Sequence, residues 1–196
     1  RKYGVWATAL VLVVVIGVAG YQGWRNYQRG QQYQYGQSYA QALALLGKGK
    51  EAEARAEFGK LAGEAGSGYA ELALLQRAAL LAKGGDGAGA EALYRQLADD
   101  TSADELFRDL AVILLALITA DNADALELTA RLQPLTEAGN PWRYSALEVT
   151  ALLAQRQGDQ ARAKEIYQSL ADNAKAPQGM RARAAEMLAV MESPGR

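Results

Sequence analysis

Hydrophobic and polar positions follow two different patterns along this chain. From Gly4 to Gly20 no residue is charged, and residues 5–19 read VWATALVLVVVIGVA, apolar apart from Thr8. Farther on, apolar residues recur every three or four positions between breaks rich in glycine, and no stretch alternates like a strand. An all-α protein is therefore expected. The soluble helices are predicted at residues 33–46, 50–63, 67–83, 87–99, 103–119, 122–137, 141–157, 159–172 and 178–192.

The first pattern predicts a single membrane-spanning helix. At 1.5 Å per residue, about 20 residues from Tyr3 to Gln22 match the roughly 30 Å hydrocarbon core of a bilayer. Aromatic residues stand at both ends, where interfacial rings are common, and basic residues lie outside them. The residues assigned to the anchor and its boundaries are Val5, Trp6, Leu10, Leu12, Ile16, Tyr21 and Trp24.

A cleaved signal peptide is the alternative for this segment, with the small residues Gly17 and Ala19 at its cleavage site. The length of the apolar run and the aromatic residues on both flanks favour a retained anchor. Two basic residues flank each side, so the charge rule leaves the orientation open. Because the chain begins at Arg1 and not at methionine, we expect further residues ahead of it.

The second pattern is a repeat. Residues 85–99, GDGAGAEALYRQLAD, return as residues 158–172, GDQARAKEIYQSLAD. Two weaker copies also fit. Ala54 and Phe58 align with the alanine and the aromatic residue, whereas in the other copy Ala125 aligns with the alanine and Thr129 replaces the aromatic residue, with Leu128 just before it. The periods of 36, 35 and 38 residues are typical of arrays of helical hairpins.

The residues of each copy are suited to a helix that packs against its neighbours. Ala90 and Tyr94 are four residues apart and share a helical face with Leu97, so the alanine allows a close approach and the ring fills the space beside it. A single hairpin cannot bury such a face, but stacked neighbours can. The preceding Gly85 is suited to a positive φ, and Asp86 to a helix N-cap.

This signature, Gly-Asp, then alanine, then an aromatic residue four positions later, resembles the second helix of tetratricopeptide repeats. The chain departs from that family at Leu97 and Leu170, where alanine is usual, and in its longer period. We therefore predict an anchor with its flanks over residues 1–29 and a tetratricopeptide-like array of α-hairpins over residues 30–196.

In tetratricopeptide arrays the first helix of each hairpin lines the concave face, which implies a groove for a partner protein. The residues that the resemblance places there are Leu72, Leu75, Phe107, Leu110, Leu114, Glu148 and Leu152. The helix at residues 103–120 is apolar on nearly every side, which is typical of a central helix. Alternatively, its stripe of Phe107, Leu110, Leu114 and Leu117 lines the groove.

Composition excludes most catalytic chemistry. The 196 residues include no cysteine and no histidine, so cysteine–histidine or serine–histidine catalysis and ordinary zinc sites are absent. The acidic group at Asp99, Asp100, Asp104, Glu105 and Asp109 is typical of a helix cap. No phosphate-binding loop occurs. We expect no enzyme activity, no metal and no cofactor.

Charge is unevenly distributed although the net charge is only −1. Residues 1–29 carry four basic residues and no acidic one, whereas the remainder has 17 basic and 22 acidic residues. A basic end beside a membrane and an acidic soluble body argue against nucleic acid as a partner.

The whole arrangement, with Gly23-Trp24-Arg25 closing the anchor, resembles the family of ancillary subunits of the SecYEG translocon. That resemblance implies a bacterial inner-membrane protein with its N-terminus inside, a periplasmic helical domain, and a scaffold role with the translocon and periplasmic chaperones. An accessory structural subunit of a respiratory or photosynthetic complex is the alternative, its tyrosine- and glutamine-rich stalk over residues 21–41 packing against a larger partner.

Overall fold

Helices and turns account for the fold of this protein. In the computed structural model, the backbone is described for residues 2–66 and 68–192, and side chains are described from Tyr21 onward within those ranges except at Gly23 and Asn26. The helices are α1 Lys2–Gly47, α2 Glu51–Glu64, α3 Tyr69–Lys83, α4 Gly87–Asp99, α5 Glu105–Thr119, α6 Ala125–Leu132, a 3₁₀ turn Gln133–Thr136, α7 Arg143–Arg156, α8 Gln160–Asp172 and α9 Gln178–Glu192. The expectation of an all-α protein is confirmed over the described residues.

Helix α1 is continuous from Lys2 to Gly47, so the predicted soluble helix at residues 33–46 is its C-terminal part. Glycine inside a helix costs only about 1 kcal/mol, and α1 contains no proline to break it. Among the residues with described side chains, no helix is both long and apolar enough to cross a membrane. The predicted membrane helix at residues 3–22 lies almost wholly outside those residues.

The predicted helix at residues 122–137 is wrong in its extent. Its α-helical part begins only at Ala125, after the N-cap Asp124, whose Oδ1 accepts a hydrogen bond from the amide of Leu126 at 2.8 Å. It ends at Leu132 and tightens into the 3₁₀ turn that contains Pro134. Proline has no amide hydrogen and its ring crowds the preceding turn, so the regular hydrogen-bond ladder stops there.

Consecutive helices pack as antiparallel pairs whose contacts are made by the repeated residues. Ala90 and Ala163 are fully buried, and the rings of Tyr94 and Tyr167 are each only 3% exposed. Leu97 and Leu170 complete the two faces. The predicted packing of small residues against rings is therefore confirmed in α4 and α8.

Two of the turns between helices have the predicted geometry. Gly85 and Gly158 have φ angles of 85° and 79°, which side chains with a Cβ rarely adopt. Oδ1 of Asp86 accepts a hydrogen bond from the amide of Gly89 at 2.9 Å, and Oδ1 of Asp159 accepts one from the amide of Arg162 at 3.0 Å. At these two turns the chain thus reverses at a glycine and the next helix begins at an aspartate cap.

Helix α5 is the central helix of its unit. Ala111 and Leu115 pack in a cluster with Tyr94 of α4, whereas Ile113 and Ala116 pack in another cluster with Leu132 of α6. A helix buried on two sides must be apolar on two sides, which explains the nearly all-round apolar sequence of α5.

Two compact units divide the chain, Arg1–Ala73 and Leu74–Arg196. The predicted boundary between residues 29 and 30 stays a prediction. In the first unit α1 packs against α2, with the ring of Tyr39 edge-on to Phe58 at 5.4 Å and near Tyr69 at 6.1 Å between centroids. The hydroxyl of Tyr35 donates a hydrogen bond to the carbonyl oxygen of Glu64 at 2.9 Å. The second unit contains the repeated hairpins of α4 to α8, closed by α9.

Candidate partner groove

The second unit carries an apolar groove of about 520 Å³ between α5, α7 and α9. Its size lies within the range of roughly 300–1,000 Å³ that is usual for binding clefts. The lining is mainly aliphatic, with methionine and one tyrosine. The lining residues are Leu110, Ile113, Leu114, Leu117, Ser145, Glu148, Val149, Leu152, Tyr167, Met180, Arg183, Glu186 and Met187.

Each of the three helices offers a stripe along one face to this groove. The contributing positions on α5 are 110, 113, 114 and 117; on α7 they are 145, 148, 149 and 152; on α9 they are 180, 183, 186 and 187. Positions separated by three, four and seven residues lie on one face of a helix. The groove is therefore built by the first helix of two hairpins together with α9, and α7 packs against both α5 and α9.

One bidentate ion pair joins α7 to α9 at this surface. Nε of Arg183 donates to Oε1 of Glu148 at 2.7 Å, and Nη2 donates to Oε2 at 2.9 Å. This hydrogen bond and the charge of Glu148 raise the pKa of Arg183, with a smaller contribution from Glu186. The charged residues that line the groove are Glu148, Glu186 and Arg183, so the groove carries one net negative charge.

Tyr167 belongs both to the core and to the groove. Burial, and secondarily the negative charge of Glu148, raise the pKa of its phenol. The ring is neutral throughout the physiological range, because its ordinary pKa is already about 10. It contributes shape and apolar surface and no acid–base chemistry.

Four of the seven residues that the sequence placed in a groove line this one, namely Leu110, Leu114, Glu148 and Leu152. Phe107 is half-buried against the cluster around Tyr94, and Leu75 is a buried member of that cluster. Leu72 is half-buried in the first unit. The structure therefore gathers the four from α5 and α7 and places the other three elsewhere; their role in binding a partner stays a prediction.

Sequence reasoning missed the wall formed by α9. Met180 and Met187 are seven residues apart on one face, and this spacing was the available signal. The helix also carries the charged residues Arg181, Arg183 and Glu186, and this pattern favours a solvent-exposed terminal helix. Leu117, which is 43% exposed, belongs to the alternative stripe that the sequence predicts on α5.

The predicted anchor residues are only partly described. Val5, Trp6, Leu10, Leu12 and Ile16 lie outside the residues with described side chains. Tyr21 and Trp24 are exposed on α1.

Acidic residues form no metal centre within the described part of the chain. Asp104 caps α5 by accepting a hydrogen bond from the amide of Leu106 at 2.8 Å. Asp109 accepts a hydrogen bond from Nδ2 of Asn140 at 2.8 Å. These contacts give both carboxylates structural roles.

Comparison with known proteins adds one family. The family model described as a tetratricopeptide repeat-like domain matches residues 1–188. The chain belongs to this family. No curated protein and no solved structure matches it significantly. Tetratricopeptide repeat-like domains act in protein–protein interaction, so protein partners are indicated in general terms.

Proposed function

We propose that this tetratricopeptide repeat-like protein is a non-enzymatic adaptor, held at a membrane by its N-terminal segment, that binds an apolar segment of a partner protein. The observation that carries the proposal is the groove between α5, α7 and α9, where three helices each present a stripe of residues to one cavity. Helical arrays stack their hairpins into extended surfaces of this kind, and such grooves bind peptides through apolar anchors.

The chemistry of the groove defines the partner segment. The walls are aliphatic and thioether side chains, which adapt to different apolar anchors. The net negative charge from Glu148, Arg183 and Glu186 disfavours an acidic segment by like-charge repulsion. The partner is therefore an apolar helix face or extended strand that carries neutral or basic flanks.

The membrane tether is supported by the sequence of residues 3–22. A tether confines the array to a thin layer beside the bilayer and raises the local concentration of neighbouring proteins. Following the translocon resemblance, we place the protein in a bacterial inner membrane as a single-pass protein, with its N-terminus inside and its helical units in the periplasm. Its partners there are the SecYEG translocon, periplasmic chaperones and exported chains.

Gentle solubilisation of native membranes, affinity recovery of the full chain and identification of the retained proteins test this proposal. The informative variant is Leu117→Glu, because Leu117 is partly exposed in the groove and a carboxylate there opposes apolar contact. Leu126→Glu is the matched control, since Leu126 is an exposed leucine of α6 outside the groove. We expect translocon subunits and chaperones with the unmodified chain and with the control, and loss of the chaperones with Leu117→Glu.

Equal recovery with all three chains would contradict binding through the groove. A protease-accessibility test on intact inner-membrane vesicles checks the orientation: the helical units resist digestion in inside-out vesicles if they face the periplasmic side.

An accessory subunit of a respiratory or photosynthetic complex is the second candidate. Exposed rings on α1, including those of Tyr21, Trp24 and Tyr27, favour it because a permanent partner could cover them. Recovery of a stoichiometric redox complex in the same experiment would replace the adaptor with this candidate.

A further inference from the structure

Aromatic side chains project from α1 before the first hairpin contact. Tyr21, Trp24 and Tyr27 follow one another at intervals of three residues, and each is between 62% and 66% exposed. The rings of Trp24 and Tyr27 lie 6.4 Å apart at a tilt of 36°. Apolar side chains that are exposed side by side mark a surface that interacts with a partner or a membrane. Apolar side chains scattered singly over a surface are normal and carry no such meaning.

The charges on this part of α1 are all of one sign. Arg25 lies between Trp24 and Tyr27 in the sequence, Arg29 follows Tyr27 by two residues, and the sequence contains no acidic residue before Glu51. Neither arginine forms an ion pair with any residue that the structure describes. We name Tyr21, Trp24, Arg25, Tyr27 and Arg29 the collar. It is an aromatic and basic surface with no internal counter-charge.

The collar lies along α1 at the level of the headgroup layer and just outside it. If the hydrocarbon boundary lies at Gln22, the 1.5 Å rise per residue puts Tyr27 about 8 Å outside it and Arg29 about 10 Å outside it. Headgroup layers are roughly 5–8 Å thick on each side, so Tyr27 lies at the outer edge of the layer and the backbone of Arg29 lies just beyond it. Tyr35, whose hydroxyl bonds to Glu64, is about 20 Å from the same boundary, so the first hairpin begins clear of the lipid.

We propose that the collar binds the headgroups of anionic phospholipids and thereby fixes the depth of α1 in the bilayer. The inference rests on the membrane tether of the proposed function and is independent of the groove. Tyrosine and tryptophan rings are stable in the interfacial layer, where one edge is apolar and the other is wet. The arginines supply the charge complementarity, because an anionic headgroup carries a net negative charge that a zwitterionic headgroup lacks, and basic residues at the membrane surface are attracted to such lipids.

Tryptophan quenching in vesicles tests the proposal with the full chain. A Trp6→Phe background leaves Trp24 on α1 and Trp142 in the second unit as the two remaining tryptophans. The double variant Trp6→Phe, Trp24→Phe then reports the signal of Trp142 alone. Phosphatidylcholine brominated near the headgroup should quench the emission more than lipid brominated deep in the chains. Adding Trp24→Phe should abolish the difference.

The anionic preference is read by comparing brominated phosphatidylglycerol with brominated phosphatidylcholine at equal mole fraction. Phosphatidylglycerol should quench more strongly. Each arginine-to-glutamine substitution, Arg25→Gln or Arg29→Gln, should lower the apparent association with phosphatidylglycerol about fivefold, and the two together should remove the preference. Arg55→Gln is the matched control, since Arg55 is exposed on α2 and should change nothing. Raising the salt concentration should weaken the preference as well.

The possible failures are distinguishable. Flotation of the chain with vesicles but no quenching of Trp24, or equal quenching by both lipids in the unmodified chain, overturns the collar and leaves the tether intact. Failure of the chain to float overturns the tether itself. A photo-crosslinker at Tyr27 that captures one discrete protein in native membranes assigns the collar to a protein partner and overturns the lipid proposal.

Discussion

Truncating Tyr94 to alanine removes the ring that the repeat places between helices. The side chain is only 3% exposed and packs with residues of α3, α4 and α5, including Leu75, Leu97 and Leu115. A buried aromatic side chain removes roughly 150–250 Å² from water, which corresponds to about 4–6 kcal/mol at about 25 cal/mol per Å². Alanine keeps the Cβ contacts, and measured aromatic truncations cost about 3–5 kcal/mol.

We therefore expect Tyr94→Ala to lower the free energy of unfolding by about 3–5 kcal/mol, a large share of the roughly 5–15 kcal/mol that is typical of a whole domain. Urea titration of the full chain in a mild non-ionic detergent, followed by far-ultraviolet circular dichroism, measures it. Tyr94→Phe keeps the ring and should cost far less. Tyr33→Ala is the exposed control. A loss of less than about 1 kcal/mol for Tyr94→Ala, equal to that of Tyr33→Ala, would refute the packing argument.

Three further predictions concern the turns and the titration of a buried ring. Asp86→Ala and Asp159→Ala should each lower the free energy of unfolding by about 1 kcal/mol, seen as a lower urea midpoint, because each removes an N-cap. Gly158→Ala should cost about 1–2 kcal/mol in the same titration, because the φ of 79° strains any residue with a Cβ; an unchanged midpoint would contradict this. Burial raises the pKa of Tyr167, so the folded protein keeps a proton that the unfolded chain releases above about pH 10. The stabilisation from the protonated, buried Tyr167 is therefore complete below that pH and is lost as the pH rises through the folded-state pKa. Tyr167→Phe should reduce this loss of stability in alkali, as urea titrations below and above that pH would measure.

The hairpins could be predicted from the sequence because their determinants are local. Alanine and an aromatic residue four positions apart, preceded by glycine and aspartate, specify a helix face, a turn and a cap within about fifteen residues. Ala90, Tyr94 and their counterparts in α8 are buried as this logic requires. Nearest-neighbour stacking then extends the local rule to the array.

The groove was harder to predict because it depends on how separate helices are rotated about their axes. Leu72 and Leu75 are only three residues apart on α3. Leu75 packs into the cluster around Tyr94, whereas Leu72 is half-buried in the first unit. Each residue turns a side chain by about 100° around the helix, so the face of α3 that meets its partner helix could not be read from composition alone. The wall from α9 was missed since its two methionines are interleaved with charged residues.

The end of α6 at Leu132 has a local cause in the sequence. Pro134 lies inside the apolar pattern that continues from Leu128 to Leu135, and this pattern favours a longer helix. Proline removes a backbone donor, and that local rule prevailed over the periodicity.

Site-specific photo-crosslinking tests the central claim most directly. A photoreactive residue in place of Leu117 lies in the groove, and one in place of Leu126 lies on an exposed face of α6 outside it. In native membranes irradiated under identical conditions, we predict discrete protein adducts from position 117 and none from position 126. Adducts of equal yield from both positions, or none from position 117, would contradict a groove that binds partner proteins.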